Sequence, residues 1–158
     1  MRVVLQRVAH ARVSVDGLAV GQIGRGLLLL VGVGRGDPDE HAGRLADKVA
    51  TLRVFADADG KTNLAIADVA GAALVVSQFT LYGDVRKGRR PSWTPAEDPE
   101  RAAAMVEAFA AALEQHGVPV ERGVFGADME VELTNDGPFT LILDADLLRP
   151  PGAPGVVR

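Results

Sequence analysis

The 158-residue chain contains no cysteine, which excludes disulfides, thiolate zinc sites and cysteine nucleophiles together and leaves the redox compartment open. Histidine is scarce. His10, His41 and His116 stand far apart, with no His-x-His or His-x-x-x-His pair, so neither a metal nor a cofactor is expected. His41 and His116 fall on or beside helical segments and are read as solvated. No long apolar run is present either: Leu27 to Val31 falls far short of the roughly 20 residues that span a bilayer. Met1-Arg2-Val3-Val4-Leu5-Gln6-Arg7 meets charge too soon for a secretory signal, so a cytoplasmic protein with no membrane partner is expected. An excess of positive charge is also missing. With 17 basic against 21 acidic residues the net charge is −4, which argues against a surface that grips DNA or other long nucleic acid and leaves room only for a local basic patch.

What is there is ordinary globular composition, 47 % hydrophobic and 24 % charged, at a length suited to one domain. Arg149-Pro150-Pro151-Gly152-Ala153-Pro154-Gly155 is of low complexity, so the domain is placed at 1–148 and a flexible tail at 149–158. Two one-sided helices are predicted. The first has Asp37 as N-cap, Pro38 at the first helical position and Glu40 completing a capping box, and buries Ala42, Leu45, Ala46, Val49 and Leu52. The second begins near Thr94-Pro95-Ala96-Glu97 or at Asp98-Pro99, buries Ala102, Met105, Val106, Phe109 and Leu113, and stops at Gly117 and Pro119. Ala11, Val13 and Val15 alternate with polar residues before an Asp16-Gly17 hairpin turn. Leu27 to Val33 and Leu74 to Val76 read as strands buried on both faces, and Met129, Val131 and Leu133 as a strand with one wet face. Phe139 to Leu143 completes the set. Strands at both ends around two separated helices predict a single α+β domain, not a regular βαβ winding.

Several familiar motifs fail. Gly32-Val33-Gly34-Arg35-Gly36-Asp37 puts an acid where a dinucleotide fingerprint needs its third glycine, and neither a P-loop nor a Gly-x-Ser-x-Gly elbow is present. Asp57-Ala58-Asp59-Gly60 lacks the glycine position and the bidentate glutamate of a calcium loop, and reads as a hairpin tip. Three segments carry more chemistry. Ser77-Gln78-Phe79-Thr80-Leu81-Tyr82 leaves a buried strand with hydroxyl and amide groups that either line a cleft or satisfy the strand's own backbone. Arg86, Lys87, Arg89 and Arg90, with Trp93 close behind, form either a phosphate contact or a solvated loop. Asn135-Asp136-Gly137-Pro138-Phe139-Thr140 holds an Asp-Gly turn signal that Pro138 removes from ordinary ladder pairing; read locally, its Gly-Pro peptide is a trans turn.

These segments, in this order, resemble the D-aminoacyl-tRNA deacylases, the D-tyrosyl-tRNA deacylase family. The resemblance runs from Met1 to about Asp144, through Leu52-Arg53-Val54-Phe55, Asn63-Leu64, Ser77-Gln78-Phe79-Thr80-Leu81, Lys87-Gly88-Arg89-Arg90-Pro91-Ser92, Phe125-Gly126-Ala127-Asp128-Met129 and Asn135-x-Gly137-Pro138-x-Thr140. Phe139, Ala65 and Trp93 depart from the valine, serine and phenylalanine usual there. The resemblance implies a mostly antiparallel, barrel-like sheet covered by two helices, and a homodimer with its active sites at the interface. It further implies a cis Gly137-Pro138 peptide that reaches into the partner and faces Ser77, Gln78, Phe79 and Thr80 there. Phe125, Ala127, Met129 and Asn135 are the expected pocket residues, and Arg86, Lys87, Arg89 and Arg90 the expected contacts to the tRNA acceptor end. The implied reaction is hydrolysis of the ester joining a D-amino acid, or glycine, to the 3′-terminal adenosine of tRNA, a proofreading step in translation.

Residue chemistry agrees with that reaction. No imidazole, thiol or carboxylate lies within Ser77-Gln78-Phe79-Thr80 to activate a hydroxyl, so orientation and oxyanion stabilisation must dominate. The Phe79 N–H is assigned as oxyanion donor, Gln78 shapes the pocket, Thr80 holds substrate or water, and the ribose 2′-hydroxyl assists. A nucleophilic Thr80 is the alternative. Two rival functions are a related deacylase with a trans tip that accepts some L-aminoacyl-tRNA, and a non-catalytic nucleic-acid-binding dimer.

Overall fold

The computed structural model describes residues 1–148, so the tail expected at 149–158 lies outside the described residues. Strand β1 (Arg2–Val15) organises the sheet because three other strands pair with it. Strand β3 (Gly26–Gly32) runs antiparallel along its first half, from Arg2↔Gly32 to Val8↔Gly26. Strand β2 (Leu18–Ile23) takes over along its second half, after a turn with Asp16 at φ 51° and Gly17 at φ 77°, the positive pair that an Asp-Gly hairpin requires. Strand β8 (Glu130–Asp144) covers the opposite edge over almost the whole length of β1.

Beyond β3 the sheet continues through β6 (Ala72–Ser77) and β7 (Val120–Arg122), both paired in parallel. Helix α1 (Glu40–Thr51) lies in the connection from β3 to β6, and helix α2 (Pro99–Gln115) in that from β6 to β7. The α+β reading with a mostly antiparallel, barrel-like sheet and two helices therefore holds. Within it the sheet also carries two parallel crossovers, which the doubly buried Leu27–Val31 run accommodates. Gly26 is required where β3 meets β6, since a Cβ there would run into the Ala72 carbonyl. A separate ribbon, β4 (Phe55–Ala56) with β5 (Thr62–Leu64), has the expected tip, in which Asp57 Oδ1 accepts from the Asp59 and Lys61 amides.

Alternation along β3 and β6 divides the core. Leu27, Leu29, Val31, Ala73 and Val75 face the helices, where they meet Leu45, Val49, Phe109 and Leu113. Leu28, Leu74 and Val76 point the other way, against Val8, Val13 and Ile23 and the partly buried Met129, Val131 and Leu133 of the barrel interior. Each such fully buried large side chain contributes roughly 1.5–3 kcal/mol.

Helix α2 starts at the Asp98-Pro99 alternative and ends before Gly117, at φ 76°. Helix α1 starts later than expected, preceded by Asp39 and not by Asp37. The Asp37 carboxylate is drawn elsewhere: its Oδ2 accepts from the Gly34 amide at 2.6 Å and pairs with the Met1 amino group at 2.5 Å. His41 is also corrected. It is buried, because the first turn of α1 faces Asp37 and the 3-10 turn Ala145–Leu147 instead of solvent.

Candidate active site

Ser77 closes β6 opposite Val31, and the Gln78 amide adds one more bond, to the Val31 carbonyl at 2.7 Å. The chain then coils into a 3-10 turn, Phe79–Tyr82, tied by Leu81 N–H to the Gln78 carbonyl and by Gly83 N–H to the Thr80 carbonyl. Gly32 leaves room for it, since a Cβ there would sit 2.9 Å from the Gln78 carbonyl oxygen. At the start of such a turn the first N–H groups have no acceptor within the turn, and here they belong to Phe79 and Thr80. The Gln78 side-chain amide donates to Thr80 Oγ1 at 2.5 Å, which leaves the threonine proton for another acceptor.

Beside this turn is a cavity of about 390 Å³. Val31, Val33, Ala102 and Val106 make it apolar, and Ser77, Gln78, Phe79, Trp93 and Phe125 contribute to its wall. The Phe79 and Trp93 rings meet edge to face, 5.2 Å between centroids. Phe79 is 54 % exposed, a large apolar surface for a group on a cavity wall. Glu97, also on the wall, accepts from the amides of Asp98 at 2.9 Å and Gly36 at 3.0 Å and pairs with Arg101. Those backbone bonds, with Arg101, hold its carboxyl down at about 2.

The Asn135–Thr140 segment forms a protrusion on β8. Between the pairs Val8↔Asn135 and Gln6↔Thr140, β1 advances two residues (6 to 8) and β8 five (135 to 140). Asn135 closes the base of the bulge: its Nδ2 donates to the Arg7 and Phe139 carbonyls, and its Oδ1 accepts from the Phe139 amide at 2.9 Å. Arg7 braces the other side, donating to the Asp136 carbonyl at 2.8 Å and the Val54 carbonyl at 2.5 Å, with its guanidinium 4.7 Å from the Phe139 ring centre. At the exposed tip the Gly137–Pro138 peptide is cis. A Cβ on Gly137 would run into the Phe139 amide nitrogen.

Of the expected site residues, Ser77, Gln78, Phe79 and Phe125 share one cavity wall, and Thr80 is joined to Gln78. Ala127, Met129, Asn135, Gly137 and Pro138 do not line that cavity within one chain. Met129 packs toward the barrel interior and Asn135 belongs to the bulge. Arg7 escaped the sequence reading, since Gln6, His10 and Arg12 along the same strand make one more polar residue there ordinary.

The basic loop is pinned at its base by the Asp84↔Ser92 bridge. Arg86 does not project freely: its guanidinium forks onto Asp84 at 2.9 and 2.7 Å. That side-chain pair, with the Arg86 amide, lowers the Asp84 carboxyl to about 2. Lys87, Arg89 and Arg90 are exposed. Among the described residues no helix is long and apolar enough to cross a membrane.

Comparison with known proteins gives a consistent result. Residues 4–144 match the family described as D-Tyr-tRNA(Tyr) deacylase. The chain is 58 % identical over 155 residues to a D-aminoacyl-tRNA deacylase of Chloroflexus aurantiacus, covering 98 % of this chain and 97 % of the relative. It is 59 % identical over 149 residues to one of Thermomicrobium roseum, covering 94 % and 97 %. Among solved structures it resembles the c-Myc DNA Unwinding Element Binding Protein, with TM-score 0.84, 36 % identity and coverage of 91 % and 98 %. A probable eukaryotic D-amino acid tRNA deacylase shares the fold, with TM-score 0.78, 19 % identity and coverage of 90 % and 97 %.

Proposed function

The chain belongs to the D-Tyr-tRNA(Tyr) deacylase family and is a hydrolase of the aminoacyl ester of tRNA, and we propose that it works as a homodimer in which each Gly137-Pro138 tip completes the other subunit's site. The observation that carries this reading is a separation. The tip is braced by Asn135 and Arg7, yet it projects outward and is absent from the wall of its own Ser77–Phe79 cavity. A second copy of the chain supplies the missing surface, and the exposed Phe79, Trp93 and Phe125 rings give that copy apolar area to cover.

In this reading the terminal adenosine enters the apolar cavity and the ester carbonyl lies over the turn. The Phe79 N–H donates to the carbonyl oxygen as it becomes an oxyanion. Gln78 orients Thr80, whose remaining proton or lone pair holds water or substrate. Water adds to the carbonyl, the bond to the ribose 3′-oxygen breaks, and the proton from water ends on that oxygen. The neighbouring 2′-hydroxyl assists, which suits a site whose Thr80 is held by an amide and not by a base. The partner's Gly137 and Pro138 carbonyls receive the substrate ammonium and leave no room for an L side chain, so D-amino acids and glycine are accepted. Lys87, Arg89 and Arg90 make a weak contact with the acceptor end, in the cytoplasm where charged tRNA is used.

Parallel hydrolysis of D-tyrosyl-, glycyl- and L-tyrosyl-tRNA tests the reading. Cleavage of the first two with the third intact supports it. Comparable cleavage of L-tyrosyl-tRNA points to a deacylase without the chiral filter, and tRNA binding without hydrolysis points to a non-catalytic binding dimer.

A further inference from the structure

A second cleft, of about 570 Å³, opens on the Tyr82 side of the Phe79–Tyr82 turn, with Arg2, Asp37, Asp84 and Asp146 on its wall. Behind Asp37 lies a buried group that deacylation does not use. The His41 side chain is 5 % exposed and its Nδ1 has no hydrogen-bond partner among the described residues. Nδ1 lies 3.6 Å from Asp37 Oδ1, too far for a hydrogen bond, and Nε2 lies 3.7 Å from Asp146 Oδ1. One ligand atom from each of Asp37, His41 and Asp146 falls within 4.8 Å of the others.

We infer that Asp37, His41 and Asp146 form a binding site for a zinc-class divalent cation, carried by an orphaned buried imidazole that faces two carboxylates at the edge of an open cleft. Two ligands 3.6 Å apart suit a single ion, since arms of roughly 2.1 Å would then subtend an angle of about 120°. Asp37 is already oriented for the task. Its Oδ2 is held by the Gly34 amide at 2.6 Å, the Tyr82 hydroxyl at 3.3 Å and the Met1 amino group at 2.5 Å, which leaves Oδ1 directed at the ring. His41 Nδ1 and Asp37 Oδ1 are the fixed pair. Asp146, 71 % exposed on the Ala145–Leu147 turn, lies nearest the other ring nitrogen, Nε2, so its exposed side chain must turn toward the Nδ1 side to serve as the third ligand. The cleft gives the ion a path in and leaves a fourth position for water. Imidazole with two carboxylates favours zinc over magnesium. The ion would fasten the Ala145–Leu147 turn to α1, apart from the cavity assigned to the ester.

Calorimetric titration of the untagged, chelator-treated full chain with ZnCl2 tests this, with CoCl2 absorption reporting the ligand set. One ion per chain, a raised Tm and at least about a tenfold loss of affinity in Asp146→Asn, with its ion-free Tm unchanged, support the site. His41→Gln should abolish binding; should that variant not fold, the exposed Asp146→Asn decides alone. Affinity equal in wild type and Asp146→Asn, or no saturable binding up to about 1 mM, overturns it and leaves an adventitious ion only.

Discussion

Thr80 and Gly137 are the two residues at which the proposed chemistry is most exposed to test. The Thr80 hydroxyl already accepts from Gln78, so its replacement removes one oriented hydrogen bond and not a base. Thr80→Ala should lower kcat by about 10- to 100-fold, the range for one hydrogen bond to a charged group. Complete loss of turnover with unchanged substrate affinity, measured by single-turnover hydrolysis, would instead make Thr80 the nucleophile. At Gly137 an added methyl meets the Phe139 amide nitrogen and the Asn135 Oδ1. Gly137→Ala must displace the tip, and the ratio of kcat/KM for D- over L-tyrosyl-tRNA should fall by at least about tenfold. An unchanged ratio would remove the tip from stereoselection.

Among the elements, the basic loop divides by partner. Arg86 is committed to Asp84, so the salt-sensitive contact proposed for this loop falls to Lys87, Arg89 and Arg90. Replacing those three by glutamine should raise KM and flatten the dependence of log(kcat/KM) on log salt, whereas Arg86→Gln alone should leave that slope nearly unchanged. The Asp84 carboxyl, lowered from 3.8 to about 2 by Arg86, has a folded value below its unfolded one. Its bond to Arg86 therefore stabilises the loop fully above about pH 4 and loses that contribution as pH falls toward about 2. An NMR titration of the Asp84 side chain checks the midpoint. Local signals made α2 and the Asp16-Gly17 hairpin legible, because Pro99 and the positive-φ pair act within their own turns. The start of α1 was not legible: besides the nearby Gly34 amide, Asp37 answers to Tyr82 and Met1, partners that only tertiary structure brings near. The same contacts bury His41, which the sequence reading placed in solvent. The parallel pairing of β3 with β6 was equally hidden, since an apolar run states that both faces are covered but not in which direction its neighbour runs. The Ser77–Thr80 and Asn135–Thr140 segments were visible as unusual chemistry. Their separation within one chain is not written in either segment locally and was expected only from the family resemblance.

For the whole molecule, the proposed dimer and the core make separable predictions. Sedimentation should give twice the 16.6 kDa chain mass, and dilution below the dimer dissociation constant should abolish cleavage in step with dissociation. A stereoselective active monomer would sink the shared-site reading. In the core, Phe109 is fully buried between α2 and the sheet, and Phe109→Ala should cost about 3–5 kcal/mol in urea unfolding without altering stereoselectivity in the molecules that remain folded. One feature of the sheet also bears on how the protein is made. Strand β1 pairs along one whole edge with β8, so Arg2 must wait for Asp144 to leave the ribosome. During translation that edge stands bare for most of the chain's synthesis, an invitation to intermolecular pairing. A shielding chaperone, or slow delivery of nascent chains, should therefore raise the yield of native protein more than any change to the finished fold.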